Sequence, residues 1–255
     1  MQLLSIYEML ESFLSEFYPD RRVDTAKLEK LITLYNSVQF DDKKIVGLHD
    51  DKNRRLFFLS DNFEKITHYQ PATFMKGGLL LMLRLLHPSQ LSYPFRYHRC
   101  FKAFYEKEFV NPPCNLNFYG VGIKLYDGHR KVRTLFLKAK ALSFNPQNIA
   151  EISVVFLEDI SHLVRGNHYW LKIKSDERTL VHVNQKGKKK FDDLISKSEL
   201  NVLKLIAEKK TNAEIADQLF LSRLTVETHR RNMIKRLDAV DSTALVHLCK
   251  MVDII

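Results

Sequence analysis

ISKSELNVLKLIAEKKTNAEIADQLFLSRLTVETHRRNMIKRL, residues Ile195–Leu237, decides the reading of the C-terminal part of the chain. Start signals alone mark three helices in it. Ser196 is followed three residues later by Glu199, and Thr211 by Glu214. At that spacing hydroxyl and carboxylate each satisfy a free backbone N–H of the first turn. Ser222 supplies a third N-cap, ahead of Thr225 and Val226. Apolar spacing agrees with these starts. Leu200, Leu203 and Ile206 share one helix face; Ile215, Ala216 and Leu219 share the next; Val226, Met233 and Leu237 share the third. Only a tight turn, Phe220–Ser222, separates the second helix from the third. That is helix-turn-helix spacing, whose second helix can enter a DNA major groove.

The outward face of the third helix carries the functional signal. Glu227, Arg231 and Lys235 stand at i, i+4 and i+8, with Thr228 beside them and Arg223, Arg230 and Arg236 flanking. Five cationic residues stand against one acidic residue between Arg223 and Arg236. Arginine grips guanine O6 and N7, glutamate accepts from cytosine N4, and threonine meets polar edges or a thymine methyl. The plainer alternative is a solvated face with a Glu227–Arg231 pair, worth about a few tenths of a kcal/mol. Caps and turn independently place this helix as the reader, so DNA binding is the expectation.

These residues resemble the LuxR-type (GerE) helix-turn-helix of bacterial transcription factors, from about Ile195 to the end of the sequence. The match runs through Glu199, Val202-Leu203, Ile206-Ala207-Glu208, Thr211-Asn212, Glu214-Ile215-Ala216, Leu219, Ser222, Thr225-Val226, His229 and Leu237. The resemblance implies a four-helix domain with base contacts from Glu227, Thr228 and Arg231. It implies DNA-backbone contacts from Ser222, Arg223, Thr225, His229 and Lys235. Three positions depart from the family pattern. Lys209 stands where the family usually has glycine, Ser198 and Leu200 replace arginines, and Glu227 often corresponds to lysine.

Composition sets looser bounds. The 255 residues suffice for one large domain or two modest ones, and 45% hydrophobic with 27% charged is ordinary for a globular protein. The formal charge is +10, which favours polyanionic partners. Residues from Lys186 onward hold 14 basic and 10 acidic groups, so most of the excess lies elsewhere. Cys100, Cys114 and Cys249 have no metal or redox spacing and suit a reducing compartment. MQLLSIYEML lacks a basic start and a cleavage site, and Gly77–Leu83 is too short to span a bilayer. A cytoplasmic protein without membrane association is expected.

Ahead of the helix-turn-helix the pattern is mixed. Leu3–Tyr18 and Thr25–Val38 read as amphipathic helices that pack on the next domain or pair with a second copy. Strands are expected at Ile45–His49 and Arg55–Ser60 across an Asp50–Asn53 turn. Helices follow at Asp61–Tyr69, Leu79–Leu86 and Pro94–Lys107. Longer strands come next, at Tyr119–Tyr126, Val132–Phe144 and Ile149–Leu157, with turns at Asp127-Gly128 and Asn145-Pro146. One further hairpin pairs Tyr169–Lys174 with Thr179–Asn184. This order fits an α+β fold, an antiparallel sheet with helices gathered on one face.

The arrangement resembles a PAS domain in its element order and in three phrases. These are LFFLSDNFEKITHYQPATF (Leu56–Phe74), LLHPSQL (Leu85–Leu91) and FLEDIS (Phe156–Ser161). PAS domains are sensory or dimerising modules. The expected organisation is an N-terminal helical segment over 1–36, a PAS-like domain over 37–185, a lysine-rich linker over 186–193 and the LuxR-type domain over 194–255.

No catalytic constellation has the right spacing; no G-x-S-x-G, H-E-x-x-H, P-loop or G-x-G-x-x-G occurs. No βα alternation surrounds Asp41-Asp42 or Asp50-Asp51 to make a phosphorylated receiver. His68 and His87 are the candidates for haem, but a lone histidine is more often structural. The Asn-Cys-Arg phrase of flavin photosensors is missing. No cofactor and no metal are therefore expected, while a small-molecule ligand in the PAS-like domain is allowed. Phe57, Phe58, Phe101, Phe104, Phe118, Phe136 and Phe156 either line its pocket or fill its core. The expected function is a sequence-specific transcriptional regulator that binds double-stranded DNA as a homodimer and meets RNA polymerase. Leu245, Leu248 and Val252 of the last helix are a candidate dimer seam or the closure of the small domain. The competing reading is a protein-interaction module whose C-terminal helices bind a protein and not DNA.

Overall fold

The computed structural model describes residues 24–38, 44–105, 115–184 and 194–255, together with Glu8, Ser15, Tyr18, Arg22 and Pro113. Apart from Glu8, Ser15 and Tyr18, the expected helix Leu3–Tyr18 lies outside the described residues, as does the lysine-rich linker. The chain divides into two compact units, 1–159 with 171–180 and 160–170 with 181–255.

Helix α1 (Thr25–Asn36) opens the first unit, N-capped by Asp24, whose carboxylate accepts from Lys27 N at 3.0 Å. Strands β1 (Lys44–Asp50) and β2 (Arg55–Leu59) form the expected hairpin. Helices α2 (Asn62–Thr67), α3 (Pro71–Leu85) and α4 (Tyr93–Tyr105) follow, with a 3-10 turn at Pro88–Gln90. Strands β3 (Asn117–Tyr126), β4 (Val132–Phe144), β5 (Ala150–Asp159), β6 (Tyr169–Lys174) and β7 (Thr179–Asn184) complete a seven-stranded sheet ordered β2-β1-β5-β4-β3-β6-β7. The β1–β2, β1–β5, β4–β5 and β3–β4 ladders are antiparallel. Turn chemistry closes the long strands as expected. Asp127 Oδ1 accepts from His129 N and Lys131 N, and Asn145 Oδ1 accepts from Gln147 N and Ile149 N.

Strand alternation assigns the two faces. Ile45 packs with Leu59 and Phe63 among residues of α2 and α3. Val46 and Leu48 point the other way, onto Leu31, Ile32 and Tyr35 of α1. Thus α2–α4 gather on one face in the PAS-like manner, while α1 covers the opposite face by plain packing. The structure adds a first half to α3, Pro71–Gly77, which the sequence reading missed. Gly78 interrupts the helix at φ 54°, ψ −149°, a conformation open essentially to glycine.

The second unit contains α5 (Lys197–Ala207), α6 (Asn212–Leu219), α7 (Arg223–Leu237) and α8 (Ser242–Met251). Its core holds Leu203, Ile206, Ile215, Ala216, Val226, Met233 and Leu237, as the apolar spacing requires, and Val202 besides, while Leu200 and Leu219 of the expected faces are half-buried. Leu245, Leu248 and Val252 are all 0% exposed. They close their own domain, so this residue set cannot serve as a dimer seam. Among the described residues, no helix is long and apolar enough to cross a membrane.

Candidate functional site

Helix α7 and the two helices before it are each positioned by a cap at the start. Ser196 and Glu199 form a complete capping box on α5, and Thr211 and Glu214 form another on α6. The α6 helix ends at Phe220, left-handed at φ 54°, whose N–H returns to Ala216 O. Ser222 then caps α7; its Oγ accepts from Thr225 N at 3.0 Å and lies 2.8 Å from Thr225 Oγ1.

The far end of α7 is held just as firmly. The last carbonyls of a helix have no partner within it. Here the segment 160–170 of the same unit supplies them. His168 Nε2 donates to Arg236 O, Trp170 Nε1 to Leu237 O and Arg165 N to Asp238 O. Asp238 returns its carboxylate to Asn167 N and Nδ2 at 2.7 and 2.9 Å. Sequence reasoning missed this clamp, because its partners lie some seventy positions away.

Between these ends α7 presents an exposed stripe of Arg223, Glu227, Arg231 and Lys235. Ser222 is exposed beside it, while Thr225, Thr228 and His229 are half-buried on its flanks. Asn212 Nδ2 reaches Glu227 Oε1 at 3.5 Å. Among the described residues Arg231 and Lys235 make no ion pair, so the plainer Glu227–Arg231 pairing does not form. Phe220 and Leu224 add an apolar pair at the N-terminal end, 95% and 70% exposed.

Two of the five expected cations do not belong to this surface. Arg230 donates to Lys210 O at 3.0 Å and to Ser242 Oγ at 3.3 Å. Arg236 forms a two-pronged bond with Glu199, at 2.7 and 3.0 Å, and also donates to Leu194 O. Both arginines knit helices together. Burial alone would push the Glu199 carboxyl up, but the Arg236 guanidinium and the Ser196 N–H hold it below the ordinary glutamate value.

Lys209, at the glycine position of the family pattern, adopts φ 63°. A side chain in that region costs about 1–2 kcal/mol, which glycine does not incur. Lys209→Gly should therefore raise the melting temperature of this unit; an unchanged or lower value would count against residual strain.

The first unit holds a cavity of about 200 Å³. Of the seven phenylalanines marked in the sequence, only Phe118 lines it. His68 and His87 do not. His68 packs its ring against His129 at 4.2 Å, and His87 caps the 3-10 turn through Ser89. The polar wall of the cavity, including Arg54, carried no sequence signal beyond the turn in which it sits.

A family model for bacterial regulatory proteins of the luxR family matches residues 193–249. This segment is a LuxR-type helix-turn-helix domain. Over 55 residues the chain is 49% identical to the response regulatory protein YgeK of Escherichia coli, covering 22% of this chain and 37% of that protein. Over 49 residues it is 49% identical to the transcriptional regulatory protein LiaR of Bacillus subtilis, covering 19% and 23%. The chain thus spans well under half the length of these relatives. Among solved structures, the VqmA dimer of Vibrio cholerae aligns at 13% identity and TM-score 0.32, over 87% of this chain and 86% of that one.

Proposed function

We propose that the chain is a sequence-specific DNA-binding transcriptional regulator, in which the PAS-like unit controls the LuxR-type helix-turn-helix. The observation that carries this reading is the exposed Arg223-Glu227-Arg231-Lys235 stripe on a helix clamped at both ends. Glu227, Thr228 and Arg231 read base edges, with Phe220 and Leu224 available to thymine methyls. Ser222, Arg223, Thr225, His229 and Lys235 hold the phosphates and set the register. The working form is a homodimer on a two-fold site, because half-site spacing follows protein symmetry. Double-stranded DNA and RNA polymerase are its partners, in the cytoplasm. The functional boundary falls within 186–193, so that 37–185 senses and 194–255 binds. Control is a population shift: a ligand favouring one state of the protein changes its DNA affinity by the difference in its own affinities.

Selection of random duplex DNA on the purified protein tests the reading. A two-fold motif is expected; salt-sensitive binding blind to sequence, or none, would overturn it. On the selected duplex, Lys235→Ala should weaken binding evenly across sequences and reduce the slope of log K against log salt by about one. A sequence-dependent loss in that variant would place Lys235 on a base instead.

A further inference from the structure

We propose that the cavity of the PAS-like unit binds a small organic monocarboxylate with an apolar body, its carboxylate held by Arg54. The inference deepens the sensory half of the function above. Size comes first. An apolar cavity of about 150 Å³ accepts benzene. The cavity here, about 200 Å³, suits one ring or a branched chain with a short acidic arm. Most of its wall is apolar, with Leu135, Leu137, Leu157, Ile123 and Phe74 among the lining residues. The polar groups His49, Asp51, Arg54, Tyr97 and His98 line it as well.

Arg54 is the group that selects. Its side chain is only 10% exposed. Nη1 makes a long bond to Tyr97 OH at 3.4 Å and stands 3.9 Å from Asp51 Oδ1, beyond hydrogen-bond distance. Among the described residues, Nε and Nη2 are buried without a hydrogen-bond partner. Those two nitrogens form one edge of the guanidinium fork, the edge that meets a carboxylate with two parallel bonds. Buried donors are normally satisfied, so an unused pair on a residue that lines the cavity points to a ligand acceptor.

Asp51 does not fill that role. Its Oδ1 lies 2.9 Å from His49 Nδ1, and its Oδ2 accepts from Ser153 Oγ at 2.6 Å. Burial and the Arg54 charge push His98 down to about 2, which leaves it neutral. The guanidinium is also held in place, with Cζ 5.3 Å from the centre of the Tyr97 ring. Its backbone is left-handed at φ 52°, a conformation that an arginine adopts only at a cost. Strain at a residue whose side chain lines a cavity is a recurrent mark of a binding role.

The test uses the full chain without DNA. Phenylacetate, 3-phenylpropionate and 4-methylpentanoate are titrated by calorimetry and thermal denaturation, each beside its amide and the amine of matching shape. At least one acid should bind about tenfold more tightly than its amide, since only the acid forms a charge-assisted pair. The amines should not bind. Arg54→Gln should erase the preference of acid over amide. Ala139→Phe keeps Arg54 and fills the cavity, so it should abolish binding of both. If Arg54→Gln does not fold, the wild-type ratio and Ala139→Phe still decide. An amide that binds as well as its acid, retention of binding in Ala139→Phe, or no acid binding at about 5 mM overturns the proposal. Such a failure leaves the DNA selection untouched, and a failed selection leaves this binding standing.

Discussion

Glu199→Ala is expected to destabilise the second unit by about 3 kcal/mol, at the lower end of the range for breaking a buried ion pair. Glu199 is 4% exposed and has two jobs. Its carboxylate accepts from Ser196 N at 2.9 Å, closing the α5 cap, and it takes both prongs of Arg236 from the end of α7. Removing it takes the two-pronged carboxylate from a guanidinium whose side chain is only 17% exposed. Glu214→Ala removes the corresponding cap on α6, whose partners Thr211 and Glu214 are both exposed, and should cost far less. The readout is urea unfolding followed by fluorescence of Trp170, the one tryptophan of the chain, which is buried in this unit. Equal effects of the two substitutions would mean that the ion pair contributes nothing. A double variant, Glu199→Leu with Arg236→Met, should recover most of the loss, since an apolar pair of similar volume avoids desolvation. The pH dependence has a definite sign. The folded carboxyl binds its proton less tightly than an unfolded glutamate does. Its contribution is whole above the unfolded value of about 4.3 and fades as pH falls through the lower folded value.

Glu199 shows how far the sequence could be read. Its capping role follows from a three-residue spacing to Ser196 and is legible without any fold. Its pairing with Arg236 is not, because 37 positions separate the two and only packing brings α5 to α7. The stripe on α7 was legible in the same local sense. Counting Arg230 with it was the error, and the helical wheel held the correction. Arg230 falls four residues after Val226 and three before Met233, on the inward face. Spacing could not decide Leu245, Leu248 and Val252, since a dimer seam and a domain closure share one period. The neighbouring helices decide it, by burying all three. In the first unit, periodicity located the sheet and most of its helices. It missed the start of α3 because Gly77-Gly78 splits the apolar run. It missed Arg54 because a cavity wall is assembled from several elements, and no single stretch of sequence contains it.

Arg231→Ala is expected to lower affinity for the selected operator by about 1–3 kcal/mol, roughly 5- to 150-fold, and to relax preference at one base pair. Three features of the helix make this the informative substitution. Arg231 is exposed, so removing it leaves no cavity and no buried donor. It makes no ion pair among the described residues, so its loss frees no acidic group. It also lies midway along a helix whose ends are fixed by Ser222 and by the 160–170 segment, so the reading surface stays in place. Stability measured through Trp170 should therefore be unchanged while DNA affinity falls. Arg230→Ala gives the opposite pairing: it loses bonds to Lys210 O and Ser242 Oγ, so stability drops while base preference in the folded fraction persists. Arg231→Lys separates charge from geometry. Lysine restores the charge but not the planar fork, so it should recover non-specific affinity and salt dependence without the lost base preference. The measurement is fluorescence anisotropy on the selected duplex and on single-base variants of it, at one fixed salt concentration. An Arg231→Ala protein that keeps both its affinity and its base preference would remove α7 from the major groove and, with it, the assignment of Glu227 and Thr228 as readers.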